Sequence, residues 1–288
     1  MNDGSQAHKT LFCQTFLDTH RPFEPADLPW PVLDERSIDR LRSIPFWSVA
    51  LAAERNAGYM VTAFARGVED PLIKRALALQ GVEETRHANL LAEMLTRYTI
   101  EVPDKAISRS PATQRHFIDF GYEECIDSFF GFGIFGLAQQ IQLFVPELTD
   151  VFEIVLLEEA RHVTFFVNWI AYERIRRRRG WRPLQAGATA LGYVRAVKRI
   201  ATTFAPRGDE KKRMQGVGFG AEGAFALFED VTWRSFLASC VRGHEYYMSA
   251  MPSDLIKPSL LPNAARFALA AVPSWKKPAS RPSTGTAA

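Results

Sequence analysis

The sequence predicts an all-α protein, and three observations carry that expectation. Apolar residues recur at helical spacing over long stretches of the chain. Helix-start signals, a polar capping residue followed closely by proline, head several of those stretches: Ser43 before Pro45, Asp70-Pro71 and Ser110-Pro111. No run alternates apolar and polar residues as a half-buried strand would.

Residues 1–43 read as an N-terminal arm, Pro-rich in the middle (Pro22, Pro25, Pro29, Pro31) and extended apart from a short helix near 34–42. The first long helix is expected from the Ser43/Pro45 signal to about Arg66, with Trp47, Ala50, Leu51, Gly58, Val61 and Ala65 sharing a stripe with Glu54. A lone carboxylate buried there would cost several kcal/mol, so it needs a partner or a metal. The second helix is expected from Asp70-Pro71 to about Ile100, with Leu77, Gly81, Glu84, His87, Ala88, Leu91 and Leu95 on one face. The third runs from Ser110-Pro111 to near Val145-Pro146 and carries Glu123-Glu124, then Phe129, Phe130, Phe132 and Phe135 interleaved with Gly131, Gly133 and Gly136. Those small residues would leave a cavity or tunnel where an apolar molecule fits. The fourth begins near 147–150 and ends at Gly180, its stripe passing through Phe152, Val155, Leu156, Glu159, His162, Val163, Phe166 and Ile170.

Residues 44–180 thus form one four-helix unit, and 181–272 a C-terminal helical extension packed on it. The extension comprises a helix over 183–204, a loop over 205–220, a long helix over 221–250 and a short one over 263–271. The Ser/Pro/Thr/Ala-rich residues 273–288 read as a disordered tail.

The chemistry lies in a doubled motif. Residues 83–87 are Glu-Glu-Thr-Arg-His and residues 158–162 are Glu-Glu-Ala-Arg-His. Helical residues three apart project from nearly the same face, so Glu84 points with His87 and Glu159 with His162. Each pair follows another Glu by about one helical hairpin, Glu54 before Glu84 and Glu124 before Glu159. Four helices supplying Glu, Glu and His, Glu, Glu and His are the ligand set of a dimetal carboxylate site inside a bundle. Four carboxylates neutralise two divalent ions, and two imidazoles complete the ligation while leaving positions open. Glu84 and Glu159 would bridge the metals; Glu54, Glu124, His87 and His162 would be terminal ligands. On the third helix Glu124 shares a crowded stripe with Phe117, Phe120, Gly121, Ser128 and Gly131, whereas adjacent Glu123 shares a polar one with His116, Asp119 and Asp127. Glu124 is therefore the expected ligand, and Asp127 an expected acceptor for a ligand imidazole N–H.

The pattern Glu, 28 residues, Glu83-Glu84-Thr85-Arg86-His87, then Glu124, 33 residues, Glu158-Glu159-Ala160-Arg161-His162, resembles the ferritin-like diiron carboxylate proteins. Within them it looks most like the branch containing the p-aminobenzoate N-oxygenases. The resemblance covers residues 44–180 and implies the ferritin-like bundle, the six ligands, two iron ions (a manganese–iron pair fits the same ligands), dioxygen and an external electron donor. It carries no substrate. That N-oxygenase has a further His one turn before the second Glu-x-x-His, around Val155, and no His occurs here between His116 and His162. The expectation is therefore the broader class, a non-haem diiron oxidase or oxygenase acting on a small organic or acyl substrate. An iron- or peroxide-handling protein and a desaturase acting on a carrier-bound acyl group are the alternatives.

The remaining features bound this expectation. The chain has 288 residues, 47% hydrophobic and 23% charged, as a globular protein would. Its net charge of +3 is unevenly spread, because residues 174–213 hold thirteen Lys/Arg against two Asp/Glu. That segment suits an acidic carrier protein or another anionic partner, although Arg174 and Arg176–Arg179 also suit a solvated helix C-terminus. No pattern points to nucleic acid. Cys13, Cys125 and Cys240 form no disulfide framework and fit the cytoplasm. The most apolar stretch, 126–145, contains Asp127 and three glutamines and reads as buried helix, with no transmembrane segment expected. The residues 218–223 match G-x-G-x-x-G but follow a basic stretch with no strand pattern, so they read as a loop. His244 reads as a packed or exposed side chain, and a homodimer is compatible with the whole.

Overall fold

The computed structural model describes residues 3–103, 111–177, 181–203 and 231–271. Among these residues all regular structure is helical: α1 (Gln6–Asp18), α2 (Glu35–Ser43), α3 (Trp47–Arg66), α4 (Pro71–Arg97), α5 (Gln114–Gln140), α6 (Pro146–Arg176), α7 (Arg182–Thr203), α8 (Trp233–Ser249) and α9 (Leu260–Ala271), with one short 3₁₀ turn at Pro25–Asp27. None of the described helices is long and apolar enough to cross a membrane. The expected loop 205–220, the start of the helix expected over 221–250, the G-x-G-x-x-G match and the tail 273–288 lie outside the described residues.

The N-terminal segment departs from the expected arm. Ser5 caps α1 by accepting from the His8 amide, and α1 packs on α4 and α6. Phe12, Cys13 and Phe16 are its apolar contacts, and polar His8 and Lys9 are also buried. Those two side chains blur the amphipathic pattern, which is why the helix escapes a periodicity reading.

Asp70 caps α4 as expected, accepting from the Leu72 and Ile73 amides, and Lys9 of α1 pairs with its other oxygen. The Ser43 signal works differently. Its hydroxyl donates back to the Arg40 carbonyl at the end of α2, and α3 starts at Trp47 without a side-chain cap. Thr113 caps α5, so that helix begins later than Ser110-Pro111 suggests.

Helices α3 and α4 run antiparallel and very close. A Cβ on Gly58 would stand 2.5 Å from the Thr85 hydroxyl, and one on Gly81 would collide with Thr62. α3 also packs on α5, and α6 on α4 and α5, so the four helices enclose a common interior. One end of it is filled by a ring cluster in which Phe117 stacks on Phe64 at 4.6 Å and meets Trp169 at 4.9 Å. The other is filled by Leu41, Phe46, Trp47, Leu95, Tyr98 and Leu148. Polar ligand types sit between these two apolar ends.

The glycines of α5 have divided roles. Gly131 lines a cavity, as the sequence suggests, but Gly133 and Gly136 lie against Cys240 and Ser239 of α8. Ser239 donates to the Gly133 carbonyl at 2.9 Å. His244, on the same helix, is buried against the edge of Phe129.

One buried network ties Gly4 and His8 and the Ile256 backbone to α6. The Gly4 amide donates to His8 Nδ1, which fixes Nε2–H as the donor to Asn168 Oδ1 at 2.9 Å. Asn168 Oδ1 also accepts from the Ile256 amide, and its Nδ2 donates to the Thr164 and Ile256 carbonyls. Asn168→Leu keeps the branched outline but strands the imidazole N–H and the Ile256 backbone. A loss of about 2–4 kcal/mol is expected from the unmet buried groups, read as a lower urea midpoint at unchanged slope. An unchanged midpoint would show that the network does not hold α1 and the Ile256 segment on α6.

Candidate metal centre

Glu84, His87, Glu159 and His162 each place a ligand atom within 4.8 Å of the others, and all four are buried or nearly so. The two carboxylates stand between the imidazoles. His87 Nδ1 lies 3.0 Å from Glu159 and 3.9 Å from Glu84, while His162 Nδ1 lies 3.2 Å from Glu84 and 3.6 Å from Glu159. Glu54 reaches the group from α3, with Oε2 3.6 Å from His87 Nδ1. Gln80 donates to Glu84 Oε1 at 3.0 Å, one helical turn before it.

Glu124 and Glu123 turn to different neighbours. Burial, reinforced by Glu159, Glu84 and Glu54, pushes the Glu124 carboxyl well above its ordinary range. Glu123 instead meets Arg199 of α7 at 2.6 Å, and Asp119 one turn earlier meets Arg195 at 2.9 Å. The polar stripe of α5 is thus matched to the basic side of α7. The basic run at the end of α6 is also partly used inside the fold. Arg174 donates to Thr189 Oγ1 and the Tyr122 hydroxyl, each at 2.7 Å, rather than standing in solvent. Arg176 and Arg177 pair with Glu173, and Arg178 and Arg179 lie outside the described residues.

The first Glu of each motif has a role that spacing alone did not reveal. Glu83 Oε2 accepts from His162 Nε2 at 2.9 Å, and Glu158 Oε2 accepts from His87 Nε2 at 2.9 Å. Each motif therefore orients the other motif's histidine. This is the task assigned above to Asp127, which the structure gives to Glu83 and Glu158. The arginines cross in the same way: Arg161 donates to Glu83 at 2.9 Å, and Arg86 to Glu158. Arg161 also donates to the Phe16 carbonyl at 2.6 Å and to Thr19, closing the end of α1. His20, beyond that helix, meets Glu83 at 2.6 Å. The signal for all this was present, since both motifs repeat Glu-Glu and Arg as well as Glu-x-x-His.

With Nε2–H donated outward to a carboxylate, each imidazole turns Nδ1 into the cluster. Both Nδ1 atoms are buried without a hydrogen bond, as are Glu54 Oε2 and Glu159 Oε2. Carboxylate oxygens approach the two Nδ1 atoms to 3.0 and 3.2 Å without forming a hydrogen bond. Half of the eight described buried side-chain atoms that lack a hydrogen bond belong to these predicted ligands. Orphaned atoms concentrated around one point are the pattern a bound cation resolves.

The electrostatics agree. Burial lifts Glu54 to about 7, against the opposing pull of His87. Burial alone would lower His87 and His162, yet the surrounding carboxylates hold both well above their ordinary value. Burial would likewise raise Glu83, but His162 and Arg161 hold it at about 2. Without a metal, protons gather on His87, His162 and Glu124, while Glu83 and Glu159, held down by their imidazole and guanidinium neighbours, stay charged.

An apolar cavity of about 150 Å³ adjoins Glu54 and His87 and is walled in part by Gly131, Val155 and Phe152. Val155 marks the region where the N-oxygenase resemblance would place a further histidine. Larger clefts near Arg176 and Arg177 touch none of the six predicted ligands.

Glu83→Gln preserves shape but removes the charge shared by His162, Arg161 and His20. A loss of about 10–100-fold in divalent-metal affinity is expected from disturbing such a ligand support, measured by equilibrium dialysis with cobalt(II). Unchanged affinity and an unchanged cobalt absorption spectrum would show that Glu83 does not orient His162.

No protein-family model matches the chain, and no curated protein or solved structure matches it. What the centre does is therefore read from its own residues.

Proposed function

We propose that this is a ferritin-like dimetal carboxylate protein, a non-haem diiron oxidase or oxygenase that uses dioxygen to oxidise a small organic substrate. The observation that carries the reading is the charge balance of the interior. Glu54, Glu84 and Glu159 gather around the imidazoles, Glu124 is buried within electrostatic reach of them, and Glu83 and Glu158 lie just outside. As carboxylates they sum to six negative charges, of which Arg86 and Arg161 match two. Buried charge left uncompensated is too costly to persist. Two divalent cations would restore neutrality among these six, whereas one would leave an excess of two negative charges; Asp127, beside them, is pushed up to about 7 by burial and takes a proton more readily.

The helix connections support the same reading. α3 and α4 are joined by a short turn, as are α5 and α6, with a longer connection between the pairs. That is the connectivity of ferritin-like bundles with one crossover.

Two ferrous ions held there would supply electrons to dioxygen, with an external donor returning them. The chain's own groups divide the remaining work. Glu84 and Glu159, each facing both imidazoles, would hold the metals together with His87 and His162. His87 and His162 present Nδ1, kept in that tautomer by Glu158 and Glu83. Glu54 faces the cavity as well as His87, and the apolar ends of the bundle keep bulk water from the centre. The cavity favours an organic substrate over iron or peroxide handling alone. The inward pairing of Arg174, Arg195 and Arg199 removes part of the surface that an acidic acyl carrier would need.

Anaerobic ferrous loading of the full chain is expected to give two irons per chain by metal analysis, with an optical change on admitting dioxygen. The His87→Ala and His162→Ala variants should each hold less. Stoichiometry below one, or stoichiometry unaffected by both substitutions together, would defeat the reading.

A further inference from the structure

The cavity beside Glu54 and His87 has a definite chemical character. Those two are the only ionisable side chains among its described walls, and both already face the metal cluster. Everything else that lines it is aliphatic, aromatic or glycine. Trp47 brings a polar N–H, but Nε1 donates to the Leu41 carbonyl at 2.8 Å and is taken. His87 is committed to Glu158 and Glu159, so the cavity offers no free cation to a substrate carboxylate or phosphate. Its carboxylate, Glu54, is committed to the cluster and does not supply a separate anion for an amine. The volume, about 150 Å³, is that of an apolar cavity which stays dry and takes one benzene-sized molecule.

The placement is also asymmetric. Glu54 and His87 line the cavity, whereas Glu124 and His162 do not. The cavity reaches from the cluster toward Phe46, at the start of α3, and Phe144, beyond the end of α5. Gly131 lies on its wall, and a Cβ built there would meet only Leu156, at 4.0 Å. An added side chain would thus project into the cavity rather than into packed structure.

We propose that this cavity binds a neutral, apolar group of about benzene to toluene size, an aryl ring or short hydrocarbon, and presents it to the centre from the Glu54/His87 side. As the assignment of a substrate class, this rests on the dimetal reading above; the binding itself does not. Charged molecules of similar size are excluded because burying their charge there would go uncompensated.

The test is fluorine NMR titration of the full chain with para-fluorotoluene, para-fluoroacetophenone, para-fluorobenzoate and para-fluorobenzylamine. The two neutral probes should bind saturably, and the two charged ones at least about tenfold more weakly. The neutral acetophenone controls for the size of the benzoate. Gly131→Leu should abolish neutral-probe binding while retaining metal stoichiometry. Gly131→Ala, which suits the helix and adds one methyl group, should weaken binding without lowering the melting temperature. Absence of saturation by the neutral probes, equal binding of the charged ones, or undiminished binding in both Gly131 variants would overturn the proposal. Saturable, Gly131-sensitive binding in a chain that takes up no metal would uphold the cavity and defeat the dimetal function instead.

Discussion

The constraint on which the rest of the structure depends is the compensation of buried negative charge. Six carboxylates from four helices occupy an interior closed at both ends by aromatic and aliphatic side chains. Two arginines and two imidazoles do not neutralise them, and the surplus is resolved only by protons or by metal. The surrounding fold is arranged to tolerate this. Glycine–threonine contacts bring α3 and α4 close enough for Glu54 to reach His87. Helix α1 is held by Arg161, the same guanidinium that steadies Glu83. The aromatic faces of Phe16 and Phe23 cover Arg161 and Arg86 at 4.6 and 4.1 Å, so that neither cation of the outer layer lies bare.

Much of this was legible in the sequence because helical spacing constrains direction. Glu-x-x-His on a helix must point both side chains one way, and the apolar residues at the same phase say that the way is inward. The all-helical class, the Asp70 cap and the grouping of Glu84, His87, Glu159 and His162 follow from such local rules. The contrast between Glu123 and Glu124 was legible for the same reason, since adjacent helical residues differ by about 100° in direction. Glu123 meets an arginine, whereas Glu124 is buried within electrostatic reach of Glu159, Glu84 and Glu54.

What was not legible depends on partners far away in the chain. Nothing local says that Glu83 serves His162 or that Glu158 serves His87, because those bonds join residues 79 and 71 positions apart. The same holds for α1, whose helix is fixed by His8 meeting Asn168 and Lys9 meeting Asp70. Its own sequence, with buried polar residues among few apolar ones, is a weak helix signal. The internal partners of the basic segment were hidden in a similar way. A run of arginines reads as surface until the acidic stripe opposite it on α5 is seen to take Arg195 and Arg199.

The crossed bonds between the two motifs make the halves of the centre interdependent. Each helical hairpin carries a Glu-x-x-His pair, yet the carboxylate that turns each imidazole belongs to the other hairpin. Neither hairpin alone contains a finished half-site. Docking of α3–α4 onto α5–α6 and creation of the metal-ready geometry are therefore one event, and assembly of the centre is as cooperative as closure of the bundle itself. A chain built this way has no stage at which one hairpin is complete and waits for the second, and a loosened hairpin would free the imidazoles of both motifs together.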